Sequence, residues 1–304
     1  MTTRAIPAAT GRDTITHGPV HLDVTDLDRS AAFWREAVGL EPLPGPEGAV
    51  RLGAGGRELV RLHPGAVRPA LRRHSGLYHL AIHLPGEGDF ARALARLSAL
   101  RVPQGPTDHV FSKATYLSDP DGIGIELTLE TPERMGWAGM GPRGPELIDA
   151  EGRPRGMTEP LDVDEVLATL PDRDLARPMP AGTRIGHVHL HVGDLAAAAA
   201  FYTGVIGFRT HMDMSAIGMV DFSAGGRFPH RMAVNVWQGQ GAPQPPPGTA
   251  GLRHITLHPD GPDGVRDLLG RAAAAGVPLD DHPDGALVRD PAGNAVLVSP
   301  PPAG

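Results

Sequence analysis

The sequence predicts an α+β fold of four β-α-β-β-β-like modules arranged in two tandem halves. Three observations predict it. One strand-turn-helix passage occurs twice without a gap, and a second repeated pair follows each copy in the same order. The 304 residues also amount to about two ordinary domains, each large enough to bury a core. With 40 Gly and 32 Pro the chain is rich in turns, which suits short strands better than long helices.

The modules follow one another along the chain. The first opens with "VHLDVTDLDRSAAFWREAVGL" (20–40) and the third with "VHLHVGDLAAAAAFYTGVIGF" (188–208). In each, apolar residues alternate as in a half-buried strand, and Asp26 or Asp194 then stands where a helix N-cap belongs. The second opens with "GLYHLAIHLP" (76–85) and the fourth with "GLRHITLHPD" (251–260). Each runs into an Ala/Leu-rich helix and closes on a turn, "DPDGIGIEL" or "DPAGNAVLV". The expected division is a flexible N-terminus at 1–14, a first domain at 15–130 holding modules one and two, a linker at 131–183, and a second domain at 184–304 holding modules three and four. The linker is rich in Pro, Gly and charge, with a short helix at "LDVDEVLATL", and is long enough to let the halves meet in more than one way.

Composition narrows the function. A net charge of -7 with no basic stripe argues against nucleic acid and anionic membranes. No apolar run reaches the length of a membrane span and the N-terminus has no signal-like core, so a cytoplasmic protein is expected. There is no cysteine, so any transition metal must be held by the 15 histidines or by carboxylates. Glu126, in the apolar strand "GIGIELTLE", is the residue that most needs explaining. An ionised carboxylate in such surroundings requires a partner or a metal, and Ile125 and Leu127 beside it offer no cation.

Paired modules with "HVHLHVGDL…AFYTGVIGF", "GLYHLAI", "TDHVFSKATYLSDPDGIGIEL" and an "AVNVW" strand after His230 resemble the vicinal oxygen chelate (VOC) superfamily, which includes glyoxalase I, bleomycin-resistance proteins and extradiol dioxygenases. The chain is most similar to two-domain bacterial catechol-2,3-dioxygenase-like proteins. The resemblance implies two glyoxalase-like domains whose mixed sheets curl into cups, with metal ligands on the first and last strands of the modules. Carried over residue by residue, the first-strand position falls on Pro19, His79, His187 and His254, and the last-strand position on Arg61, Glu126, Asn235 and Leu297. Pairing modules within each half leaves both sets incomplete. Pairing the second with the third joins His79, Glu126 and His187, a facial set of two imidazoles and a carboxylate suited to Fe(II) or Mn(II). The fallback is His21 with His79 and Glu126, and a third reading is a metal-free fold in which these groups only hydrogen-bond.

The order His109, Tyr116, "DPDG", Glu126 follows the extradiol dioxygenase signature except at Thr115, where an apolar residue is wanted. The resemblance therefore implies ring cleavage of a catechol-type aromatic with dioxygen. His109 would shuttle a proton, Tyr116 would donate a hydrogen bond, and His230 would be a further pocket residue. His189 and Asn235 are candidate substrate contacts, although His189, like His83, His191 and His258, also reads as a hydrogen-bonded core histidine. Asn235 in place of a second carboxylate counts against glyoxalase-like isomerase or lyase chemistry. A ligand-binding protein of the bleomycin-resistance kind and a former enzyme kept as a scaffold remain the other readings. Aromatic residues make up only 4% of the chain, so a ring-binding pocket is expected to be sparse. A homo-oligomer is compatible with the sequence.

Overall fold

The computed structural model describes residues 11–45, 47–141 and 144–301. Among them the chain forms two large mixed sheets, with helices packed on them and a small third sheet between the halves. The helices start where the sequence places them. Asp26 and Asp194 each accept a backbone N–H three residues on, at 3.0 Å, which satisfies one of the free donors of the first turn. Both helices continue into a π-helical turn, Trp34–Val38 and Tyr202–Ile206, and end at glycines with φ of 97° and 99°. That left-handed conformation is one that glycine adopts without penalty.

The sheets do not coincide with the halves of the sequence. Ile15–Val24 pairs antiparallel with Gly251–Pro259, so the eight-stranded sheet joins modules one and four. Gly76–Leu84 pairs antiparallel with Arg184–His191, so the nine-stranded sheet joins modules two and three. Each cup thus takes one module from 15–130 and one from 184–304. The "DP" turns tie the two sheets together. Asp121, 2% exposed, binds Thr25 through N and Oγ1 at 2.7 and 2.6 Å and Arg29 at 2.5 Å. Asp290 accepts from the hydroxyl of fully buried Tyr202 at 3.1 Å.

Two expectations about the connections require correction. The segment 131–183 carries its short helix, Val163–Leu167, but is not otherwise a plain linker. Met135–Gly141, Gly144–Asp149 and Pro154–Arg155 form a three-stranded antiparallel sheet. Ala138 and Leu147 of that sheet are buried with Phe111, Met212 and Phe228 in a second apolar cluster. Its many glycines hide the strands from a pattern reading, because a strand interior is normally poor in Gly. Residues 1–10 of the expected flexible N-terminus lie outside the described residues, whereas 11–14 are tied down. Asp13 binds Arg231 at 2.9 Å and Thr14 donates N–H to Ala224 O at 2.9 Å.

Candidate metal centre and active site

His79 stands on the first strand of module two, Glu126 on its last strand, and His187 on the first strand of module three. Adjacent strands of the nine-stranded sheet bring them together in one cup. His79 Nε2 lies 3.0 Å and His187 Nε2 2.9 Å from Glu126 Oε2, and the two nitrogens are 3.3 Å apart. All three residues are buried, and among the described residues they form the one group of His and carboxylate donors close enough to share a metal ion.

The hydrogen bonds behind His187 set its tautomer. Glu130 accepts from His83 Nδ1 at 2.7 Å, so the neutral His83 ring presents a bare Nε2. His187 Nδ1 stands 2.9 Å from that nitrogen and must carry the proton between them. His187 Nε2 is then left with its lone pair facing Glu126 Oε2. Burial holds the pKa of His83 and of His187 below the usual imidazole range, His187 well below it, so a second proton on His187 is disfavoured. Two acceptors at 2.9 Å with no proton between them call for a cation. Ligands in neighbouring positions on an octahedral ion at about 2.1 Å are about 3.0 Å apart, and these three atoms match that spacing. The residues therefore fit a divalent metal. An ionised Glu126 carboxylate buried beside that bare nitrogen makes the same demand for a cation. Thr128 Oγ1 donates to its other oxygen at 2.9 Å.

Three further groups surround this centre. His230 lies with its ring 4.4 Å from that of His187, and its Nδ1 donates to Asp221 Oδ2 at 3.0 Å. That bond leaves His230 Nε2 as a proton acceptor. Asp221 also accepts from His211 Nδ1 at 3.0 Å and from Met212 N at 2.6 Å. Second, His109 Nδ1 donates to Met157 O at 2.8 Å, so its Nε2 accepts from the Tyr116 hydroxyl, also at 2.8 Å. Burial and the nearby Glu126 push the Tyr116 phenol well above its usual range, which keeps it a donor. Third, the backbone N–H of Trp237 meets Asn235 Oδ1 at 3.0 Å, which turns the amide nitrogen toward His189 Nε2 at 2.8 Å. His189 then carries its proton on Nδ1.

Every residue singled out for the centre, apart from the fallback His21, lies in this cup. His21 stands in the other sheet, where it bonds His63 at 3.1 Å and its ring lies 4.0 Å from that of His254. The last-strand position assigned to Asn235 shifts by two residues. Ala233 pairs with His189 as Glu126 pairs with Ala81, Arg61 with His21 and Leu297 with Thr256, so Ala233 and not Asn235 is the counterpart of Glu126. Asn235 is fully buried and its oxygen is saturated by His191 Nδ1 and Trp237 N, so it orients His189 instead of facing open space. Thr115, the departure from the signature, is buried with its hydroxyl on Gln104. Nor is the cup short of rings. Tyr78 and Trp237, 36% and 48% exposed, stand edge-on to each other with centroids 5.5 Å apart, and Tyr78 lies beside His79, His189 and His191. Asp221, Glu130, Thr128, Tyr78 and Trp237 were not singled out from sequence. Asp221 carries the same signal as Glu126, a carboxylate between apolar strand residues, here Val220 and Phe222.

Comparison with known proteins agrees with this architecture. Residues 17–127 and 184–298 match the family model described as the Glyoxalase/Bleomycin resistance protein/Dioxygenase superfamily. The chain is 33% identical over 284 residues to catechol-2,3-dioxygenase of Bacillus subtilis (strain 168), covering 92% of this chain and 95% of that one. A structure from Bacillus subtilis subsp. subtilis str. 168, described as a candidate dioxygenase, matches with a TM-score of 0.62 at 13% identity, over 97% of this chain and 87% of that one. Glyoxalase I from Zea mays matches with a TM-score of 0.53 at 15% identity, over 94% and 93%. No helix among the described residues is long and apolar enough to cross a membrane. With four modules, two cups and a buried His-Glu-His set in one of them, the chain belongs to the glyoxalase/bleomycin resistance protein/dioxygenase superfamily.

Proposed function

We propose that this protein is an extradiol ring-cleaving dioxygenase for a catechol-type aromatic, with Fe(II), or Mn(II) in its place, held by His79, Glu126 and His187. The observation that carries the reading is the convergence of two imidazole nitrogens and one carboxylate oxygen within 3.3 Å in a buried cup. The relative named catechol-2,3-dioxygenase supports it. When bound, the ion would lower the pKa of a catechol hydroxyl and supply the site at which dioxygen is activated.

The chain's own groups then divide the work. His230 Nε2, kept free by Asp221 on the other side of the ring, accepts a hydroxyl proton from the substrate and can return it later in the turnover. Tyr116 has a single hydroxyl proton, so it donates to an oxygen of the bound substrate by giving up its hydrogen bond to His109, whose Nε2 is then free to take up a proton. His189 Nδ1–H is a further donor, fixed by Asn235. Tyr78 and Trp237 form an aromatic wall at the rim against which a planar ring can stack. The fourth position around the centre belongs to Ala233, so a second carboxylate of the kind an isomerase would use as base is not supplied there.

The test is elemental analysis of protein purified without oxygen, followed by oxygen uptake with catechol, on wild type and Glu126→Ala. About one iron or manganese per chain, lost in the variant together with catechol-dependent uptake, is expected. A wild type that takes up neither metal even after Fe(II) loading would overturn the proposal and favour a metal-free binding protein.

A further inference from the structure

The eight-stranded sheet encloses a cavity of about 650 Å³, the counterpart of the catalytic cup, lined by residues of modules one and four and by the edge of module three. Its size lies within the range of small-molecule sites. Its charge is opposite in sense to that of the catalytic cup. Pro19 and Leu297 occupy the positions of His187 and Glu126, so two of the three metal-ligand positions are lost and only His254 keeps its place. In exchange, Arg51, Arg57, Arg61, Arg184 and Arg231 line the wall against three carboxylates, Asp13, Glu58 and Asp284. Arg61 pairs with His21 where Ala233 pairs with His189 in the catalytic cup, so a guanidinium stands where that cup has a methyl group.

These arginines are unevenly committed. Arg184 and Arg231 are held by Glu130, and Arg231 also by Asp13. Arg51 and Arg61 share the carboxylate of Glu58, at 2.8 Å and at 2.6 and 2.9 Å, with Asp284 as the other carboxylate acting on Arg61. Arg57 has no ion-pair partner among the described residues. His17 also lines the cavity, with a buried Nε2 that makes no hydrogen bond. Ile15, Pro19, Leu59 and Leu297 supply an apolar floor.

We propose that this second cup is a binding site for a small organic anion, a carboxylate or phosphate ester on an apolar body, received by Arg57 and by the Arg51–Arg61 pair. The inference is independent of the catalytic reading. A planar carboxylate or phosphate matches the guanidinium fork, and the hydrophobic floor takes the rest of the molecule.

The test is calorimetric titration of the full-length protein with benzoate, phenyl phosphate and neutral benzamide, on wild type, Arg57→Glu and Trp237→Ala. Binding of at least one anion but not of benzamide is expected, weakened about tenfold or more in Arg57→Glu and unchanged in Trp237→Ala. Benzoate the tighter ligand would assign the site to carboxylates, and phenyl phosphate the tighter to phosphate esters. Three results would overturn the proposal: no binding of either anion at millimolar concentration, equal binding of benzamide, or anion binding that Trp237→Ala removes and Arg57→Glu leaves intact.

Discussion

Replacing His83 with Phe should loosen the metal without touching a ligand. His83 is fully buried, takes its proton orientation from Glu130 and hands it to His187, so it fixes which His187 nitrogen faces the cup. Phe fills much the same space, and Gly186 already makes room for a flat ring there, since a Cβ on that glycine would come within 2.0 Å of the His83 ring. The variant therefore removes the hydrogen bond with little change in packing. It leaves His187 Nδ1–H buried and unpaired, which costs about 1–3 kcal/mol, or roughly 5- to 150-fold in metal affinity. Loss of a partner behind a metal-binding histidine ordinarily costs about 10- to 100-fold, which agrees. Competition against a chelator of known affinity, on anaerobic protein, measures the change, and a thermal melt of the metal-free form checks the fold. Metal affinity within about twofold of wild type would refute the tautomer argument. Glu130→Gln, which keeps an acceptor for His83 but lowers the charge, should give a smaller loss in the same assay.

The remaining predictions concern the two cups. His187→Ala should abolish metal binding and His254→Ala should leave it intact, because His254 belongs to the other sheet; elemental analysis of both decides, and loss of metal in His254→Ala would contradict the strand pairing. Asp221→Asn should lower kcat by about ten- to a hundredfold with little change in KM, because it disturbs the tautomer of His230 and not the binding wall; steady-state oxygen uptake measures both constants. Acid should destabilise the fold through His21 and His254, whose burial lowers their pKa values to about 2 and about 3. The unfolded chain takes up these protons below about pH 6.5 and the folded one does not, so stability is full above that pH and falls as pH drops toward 3. The slope is at most about 1.4 kcal/mol per pH unit for each group, or about 4 kcal/mol for the pair at about pH 5. Melts between about pH 7.5 and 5 should show it, with a shallower fall in His254→Leu.

Much of this was legible in the sequence where a chemical demand was local. Asp26 and Asp194 announced their helices because an N-cap acts within three residues. Glu126 announced its site because no residue beside it could compensate its charge. Applied to "MVDFS", the same test would have found Asp221, whose partners His211 and His230 lie on either side of it in sequence and meet it only through the hairpin and the strand that follows it. Glu130 was harder to read, since it ends its strand and an exposed end is the simpler reading of a terminal Glu. The sheet at 135–155 escaped because its burial comes from distant residues, Met212 and Phe228, and not from its own pattern. The sparse aromatic content misled for a related reason: an average over the chain carries no position, and two of the three tyrosines face the one cup.

Periodicity alone could not choose between pairing modules within the halves and across them, because all four first strands alternate in the same way and would register equally well against any partner. The choice came from stoichiometry of ligands. Within the halves, Pro19 faces His79 and Glu126 while Leu297 faces His187 and His254, and neither set can neutralise a buried carboxylate with a metal. Crossed pairing gives Glu126 two imidazoles, and it leaves the other sheet with no carboxylate on its matched last strand and hence no need of a cation. The strand order follows this second arrangement. Duplicated cups are thereby free to diverge in charge. One keeps Glu126 and the bare nitrogen of His187, which together demand a cation, while the other sets Arg51, Arg57, Arg61, Arg184 and Arg231 against Asp13, Glu58, Asp284 and Glu130 and is left with a positive excess. A carboxylate introduced in place of Leu297 would stand beside His254, whose buried Nε2 makes no hydrogen bond, and would restore half of the lost ligand set while Pro19 still blocks the rest.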